Sequence, residues 1–265
     1  MFQFFPNDTY DTDPATPRRF MDRLLLGSRW YFAVGYYLEI LRSRGMAVKN
    51  LYNDEAWSQS SHRIVRLIEG CGGRLHLRGM DNVRSLKEPV VFISNHMSML
   101  ETFVFPSIIV PLRPVTYVVK ESLVKHSSFG PVMRSRNPIV VFRKNAREDL
   151  TIVLKKGPEL LRSGTSIIIF PQSTRSEIFD PGSFNTLGII LAKKAGVQVL
   201  PVAIKTDFWG NGSLFKDVGP VHREKPIYME FGSAFPIVDS GKKEQLKVLE
   251  FIKERLLFWG GRIKT

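Results

Sequence analysis

The sequence predicts an α/β fold: a mixed, largely parallel sheet flanked by helices, preceded by an N-terminal amphipathic helical segment. Three observations carry this reading. From residue 75 onward, short apolar β-prone runs at 90–94, 115–119, 166–170 and 199–204 alternate with stretches of helical periodicity. Hydrophobic content of 43% and charged content of 24% are ordinary for a folded chain. A length of 265 residues suffices for one large core, with or without a small helical appendage.

Taken in order, the start of the chain lacks a basic region followed by an apolar run, so no secretory signal is expected there. In residues 20–45, Phe20, Leu24, Trp30, Tyr31, Phe32, Tyr36, Tyr37 and Leu38 are interrupted by Arg23 and Arg29 and bracketed by Arg18, Arg19, Arg42 and Arg44. The uncharged run between Arg29 and Glu39 is nine residues, against the roughly 20 a spanning helix needs. The pattern fits a helix lying in a membrane interface, and it also fits a packed helix with solvated arginines. Residues 54–70 form a second helix, with Trp57, Ile64, Val65, Leu67 and Ile68 at helical spacing. Gly72-Gly73 breaks the chain before a strand at 75–77, where His76 is a strand histidine facing solvent or a neighbour. These features divide the chain into a membrane-associating segment, 1–70, and an α/β domain, 71–265.

Within that domain, the strand at 90–94 leads to a helix at about 99–109, which Pro106 should kink or shorten. Strands follow at 115–119 and 139–142. A helix at 149–162 should bend at Gly157-Pro158, and the strand at 166–170 stops at Pro171. A helix at 187–194 ends at Gly196, where a C-cap belongs. Strands at 199–204 and 227–231 and an amphipathic helix at 246–257 close the set.

The net charge of +13 favours an anionic partner, whether nucleic acid, anionic lipid or a phosphorylated small molecule. Cys71 stands alone, which excludes an intramolecular disulfide and suits a reducing compartment. No Gly-x-x-x-x-Gly-Lys or Gly-x-Gly-x-x-Gly is present, which argues against P-loop and dinucleotide enzymes. The five histidines form no metal-ligand spacing with each other or with Cys71, so no metal is expected.

Two constellations remain, each just after a strand, where an open α/β sheet gathers its ligands. The first is Asn95-His96-Met97-Ser98-Met99-Leu100-Glu101. Five residues turn a helix through about 500°, so His96 and Glu101 meet only if His96 precedes the helix and Glu101 lies in its first turn. Ser98 and Glu101 fit a capping box that gives this placement. A neutral imidazole steadied by a carboxylate is a general base for an alcohol. There is no Gly-x-Ser-x-Gly and no partner for Cys71, so the nucleophile is the substrate's own hydroxyl. The second is Phe170-Pro171-Gln172-Ser173-Thr174-Arg175-Ser176, whose small hydroxyls and arginine suit a phosphate, with Arg143 as a second candidate.

These residues resemble the glycerolipid acyltransferases typified by lysophosphatidate acyltransferase. Asn95 to Glu101 match that family's N-H-x-S-x-x-D with Glu for Asp. Val140-Val141-Phe142-Arg143 match its strand-ending arginine. Residues 170–176 match F-P-E-G-T-R-S with Gln172 for Glu and Ser173 for Gly. Val199-Leu200-Pro201-Val202-Ala203-Ile204 match its apolar strand with proline, and Lys120, Leu123 and Phe129-Gly130 resemble the intervening segment. The resemblance implies catalysis by His96 and Glu101, and substrate contacts by Asn95, Ser98, Lys120, Arg143, Gln172, Ser173, Thr174, Arg175 and Pro201. It implies acyl-CoA or acyl-carrier protein as donor substrate with no further cofactor, a lysophospholipid acceptor, and a peripheral or monotopic position on the cytoplasmic face of a membrane. Glu101, one methylene longer than Asp, changes how His96 must sit, the departures at 172 and 173 bear on acceptor identity, and the three together leave open a lipid-binding member without activity. A basic nucleic-acid-binding protein with Trp30, Tyr31, Tyr36 and Tyr37 as stacking surfaces is the rival reading, and it leaves the ordered blocks unexplained.

Overall fold

The computed structural model describes residues 2–172, 174–212 and 219–264. Along the chain the elements are β1 (Tyr10–Asp11), α1 (Phe20–Leu24), α2 (Arg29–Val48), α3 (Asp54–Gly70), β2 (Leu75–Arg78), α4 (Met80–Arg84), β3 (Val91–Ser94), α5 (Leu100–Ile109), β4 (Val115–Lys120), α6 (Glu121–Lys125) and α7 (Gly130–Arg134). Then come β5 (Ile139–Val141), α8 (Ala146–Arg162), β6 (Ser166–Ile169), β7 (Ile178–Phe179), α9 (Leu187–Ala195), β8 (Val199–Lys205), β9 (Ile227–Phe231), α10 (Lys242–Phe258) and β10 (Arg262–Ile263). The main sheet has the order β1-β2-β9-β8-β3-β6-β4-β5. Only β1–β2 and β8–β9 run antiparallel in it, so the sheet is mixed and largely parallel.

Side-chain alternation sets the layers. Val91 and Ile93 of β3 face Gly188 of α9, whose missing Cβ leaves room for Ile93. Phe92 therefore points to the other face, where its ring meets Phe231 and, through Phe231, Phe105 of α5. Helices α5 and α9 thus cover opposite faces of β3, whose four residues are all buried. Such double coverage explains a continuous apolar strand without alternation.

Helix α5 runs through Pro106 to Ile109, the end the sequence predicts, without the shortening expected at Pro106. Proline removes the N–H that would reach the Thr102 carbonyl. That carbonyl accepts from the Tyr117 hydroxyl instead (3.2 Å). One residue on, the Ser61 hydroxyl of α3 accepts the Ser107 N–H (2.8 Å) and donates to the Phe103 carbonyl (2.5 Å). Neighbouring elements thereby repair the ladder, and α3 is pinned to α5.

Helix α8 likewise continues through Pro158. It begins earlier than the periodicity predicts, because the Asn145 side chain accepts from the Arg147 and Glu148 N–H groups. The third predicted sheet strand ends at Val141, one residue early, as Arg143 turns to φ 57°.

Residues 1–70 do not form a separate core. One hydrophobic cluster includes Phe5, Phe32, Tyr36, Trp57 and Val65 together with the sheet strands. The boundary at residue 70 marks a change from helices to sheet while the core continues across it. Strand β1 pairs with β2 in the main sheet, a contact too short to leave a periodic signal.

Helix α2 has two apolar faces. Phe32, Tyr36, Ser43 and Ala47 are buried, with Phe32 and Tyr36 edge-on to Trp209 at 5.0 and 4.7 Å. Trp30, Val34, Tyr37, Leu38, Leu41 and Val48 are exposed on the other side. The turn before α2 adds Leu26, 95% exposed, and it uses positive φ at Leu26 and Gly27. Asp22 of α1 is fully buried between Arg18 and Arg223, which clasps this turn to the body. Among the described residues no helix is long and apolar enough to cross a membrane.

Candidate active site

Strand β3 ends at Ser94, and the chain is then bracketed to its neighbours at every step. Asn95 is buried, and its carboxamide accepts the Ile204 N–H (2.9 Å) and donates to the Ile204 carbonyl (2.8 Å). A side chain that carries both a donor and an acceptor continues the β3–β8 ladder where the backbone leaves it. The His96 N–H donates to Gln172 Oε1 (2.6 Å), and its carbonyl accepts the Ser176 N–H (3.0 Å). The loop after β6 thus holds the His96 peptide from both sides.

The ring of His96 meets the Glu101 carboxylate, Nδ1 to Oε1 at 2.8 Å. Ser98 caps one residue ahead of the predicted register: its Oγ accepts the Leu100 N–H (3.0 Å) while Glu101 accepts the Ser98 N–H (3.0 Å), and Met99 takes the N-cap place. The regular helix starts at Leu100, with Met99 at the boundary. Glu101 also accepts from the Met97 N–H (2.7 Å), from Ser98 Oγ (3.0 Å) and from Thr206 Oγ1 (2.7 Å). Burial alone would push this fully enclosed carboxyl up. The His96 hydrogen bond and charge, with Thr206 and a backbone amide, overcome that and hold it below the usual carboxylate range. An ionised Glu101 accepts only, so Nδ1 carries the proton and Nε2 is left as the basic nitrogen.

Phe170 stacks on the His96 ring at 4.3 Å. The aromatic series continues to Tyr117 (6.3 Å) and from there to Trp57 (6.0 Å). It runs along a cavity of about 450 Å³ that His96 lines together with residues of α2, α3, α5, β4 and α7, a size within the range of ligand pockets. Lys120, Arg143, Thr174 and Arg175 line the same cavity. Phe142 and Arg143 donate their N–H groups to Asp149 (2.7 and 2.8 Å), which fixes the turn that presents Arg143.

His96, Lys120, Arg143, Thr174 and Arg175 are therefore gathered at one cavity, with Glu101 behind His96. Asn95, Ser98 and Gln172 are buried, and the contacts they make here are to protein groups that hold the His96 loop. Pro201 lies apart from that cavity. It pairs with Ile93 and so shares the α9/α10 face, lining a cleft with Phe251 on the side away from α5. Ser173 lies outside the described residues. Sequence reasoning misses Thr206 and Tyr117. The available signal for Thr206 is its place at the C-terminal end of a strand neighbouring β3. Cys71 is buried, its thiol pushed up to about 12 by desolvation, and so it is inert as a nucleophile.

Gln172→Ala removes the acceptor of a sequestered N–H, and a loss of about 1–2 kcal/mol in urea unfolding is expected. Gln172→Glu keeps an acceptor and should stay near wild type. An alanine variant as stable as wild type would show that water replaces the amide at no cost.

The acyltransferase family model matches residues 74–205. A 1-acyl-sn-glycerol-3-phosphate acyltransferase of Pseudomonas aeruginosa is 30% identical over 166 residues, covering 62% of each chain. The chloroplastic 1-acyl-sn-glycerol-3-phosphate acyltransferase of Arabidopsis thaliana is 28% identical over 131 residues, covering 49% of this chain and 36% of that one. The chain thus spans less than two thirds of the length of these relatives. The crystal structure of the 1-acyl-sn-glycerophosphate (LPA) acyltransferase PlsC from Thermotoga maritima aligns with a TM-score of 0.63 at 19% identity, over 92% of this chain and 99% of that one, and shares its fold. Residues 74–205 thus form a domain of the acyltransferase family.

Proposed function

We propose that the protein is a membrane-surface O-acyltransferase that moves a fatty acyl group from a thioester, acyl-CoA or acyl-carrier protein, to the free hydroxyl of a lysophospholipid. Lysophosphatidate, giving phosphatidate, is the acceptor the relatives favour. The observation that carries the reading is the His96–Glu101 pair at a cavity with apolar walls and a cationic group of Lys120, Arg143 and Arg175.

His96 Nε2 takes the hydroxyl proton as the acceptor oxygen attacks the thioester carbonyl carbon. A C–O bond forms, and the tetrahedral intermediate collapses with cleavage of C–S. The thiolate leaves with the proton held by the imidazolium, which returns the base. Glu101 keeps the ring oriented and balances its charge. The cations hold the acceptor's phosphate, and the cavity walls take acyl chain, so proximity supplies much of the rate.

The exposed face of α2 and the turn before it supports a position on the bilayer. Apolar side chains there are flanked by Arg23, Arg29, Arg42 and Arg44, a pattern suited to an anionic surface. Glu39, Ile40 and Ser43 of the same helix line the cavity, so lipid has a short path to the site.

The test is product formation from lysophosphatidate and an acyl thioester in mixed micelles, with one thiol released per ester formed. Monoacylglycerol, which lacks the phosphate, should react about tenfold or more slowly, since a charge-assisted phosphate contact contributes upward of about 1.5 kcal/mol. Absence of thioester-dependent product with lysophosphatidate and with zwitterionic lysolipids would sink the reading.

A further inference from the structure

The carboxylate behind His96 is a glutamate, one methylene longer than the aspartate of the pattern it resembles. The extra torsion lets the carboxylate swing away from the ring, so something must hold its far oxygen. Oε1 serves His96 Nδ1, the Met97 N–H and the Ser98 N–H. Oε2 accepts from Ser98, through its N–H (3.2 Å) and Oγ, and from Thr206 Oγ1 at 2.7 Å. All donors but the last come from residues 96–98, which travel with Glu101 if that loop shifts. Thr206 follows β8, 105 residues away in sequence, and is fully buried. Its own N–H lies against Met97 Sδ (3.2 Å), and Ser98 Oγ approaches its hydroxyl at 3.0 Å. It stands one residue past the matched segment 74–205.

We propose that Thr206 is a positioning residue of the His96–Glu101 pair: it ties Glu101 Oε2 to the end of β8, so that Oε1 stays on His96 Nδ1. Its effect on rate rests on the acyltransferase reading, whereas its effect on the His96 ring does not. Titratable groups near the pair are Tyr117 of β4, which feels the Glu101 charge, and Lys120, Arg143 and Arg175 around the cavity. Lys205 and Asp207, which flank Thr206, pair with each other at 2.8 Å. None of these changes in the variants below.

The experiment follows the His96 ring C–H signal by NMR across pH in the full chain, with His96→Ala for assignment. It compares wild type with Thr206→Val, which keeps the shape and loses the donor, and Thr206→Ser, which keeps the donor. With its far oxygen released the carboxylate swings off the ring and stabilises the imidazolium less, so the midpoint in Thr206→Val should fall by roughly half a unit. Thr206→Ser should titrate as wild type. In acyl transfer, kcat should fall about tenfold in Thr206→Val with KM within about twofold, and Thr206→Ser should recover it. In a Glu101→Asp background, whose shorter arm does not reach Thr206, adding Thr206→Val should cost nothing further.

A midpoint in Thr206→Val that matches wild type or rises overturns the proposal, even if activity falls. Equal losses in Thr206→Val and Thr206→Ser also overturn it, since they point to packing. If the wild-type chain makes no product with any acceptor, the acyltransferase reading fails while the titration still decides Thr206.

Discussion

Replacing His96 by alanine is expected to lower kcat for acyl transfer about a thousandfold, the usual worth of a positioned base, with little change in KM because the phosphate and chain contacts remain. Glu101→Gln tests the other half of the pair. The Met97 and Ser98 N–H groups, which only donate, keep the amide oxygen beside His96 and turn its NH2 to the Ser98 and Thr206 hydroxyls. The ring keeps its tautomer but loses the charge that balances the imidazolium, and a loss of about a hundredfold follows. The same variant has a pH signature in stability. Glu101 is held below its ordinary value of 4.5 in the fold. A depressed carboxyl contributes stability that is full above the unfolded value and is lost as pH falls through the folded one. The stability gap between wild type and Glu101→Gln should therefore be full at neutral pH and shrink on acidification below about 4.5. Wild-type turnover in His96→Ala, or a gap that does not change with pH, would show that the pair is structural.

How far the sequence reaches depends on what each residue answers to. Helix α3 and strand β9 match the predicted ranges, because Trp57, Ile64, Val65, Leu67 and Ile68 answer to one buried face and residues 227–231 to one alternation. The His96–Glu101 contact is legible for a local reason, since a capping pattern in Ser98 and Glu101 puts the histidine before the first turn of α5 and the carboxylate inside it. What stays hidden depends on partners distant in sequence. Pro106 reads as a kink or a shortening until Tyr117 and Ser61 take up the groups around it. Gln172 reads as a substrate contact, and its hold on the His96 N–H shows only once the loop after β6 has folded. The face that Pro201 points to follows from its register with Ile93, which no single strand reveals.

Charging the outer face of α2 is expected to detach the protein from vesicles while leaving its fold intact. Leu26, Trp30 and Leu38 are 95%, 57% and 59% exposed, so Leu26→Glu, Trp30→Glu and Leu38→Glu together remove little from the core. If each side chain contributes about 1 kcal/mol or more on entering the interface, the triple variant loses at least about 3 kcal/mol, or more than a hundredfold in partitioning. The exposed arginines at 23, 29, 42 and 44 add a second, separable dependence. Each is worth about 1 kcal/mol near an anionic leaflet, so wild type should bind phosphatidylglycerol-containing vesicles more tightly than neutral ones and lose that advantage at high salt. Flotation of wild type and triple variant on both vesicle types reads both effects. Turnover of a short-chain, water-soluble lysolipid should survive in the triple variant, because Glu39, Ile40 and Ser43 on the cavity side of α2 are untouched. Equal flotation of the two proteins would mean that this face does not meet the bilayer. Loss of soluble-substrate turnover in step with flotation would instead tie the outer face of α2 to the integrity of the cavity.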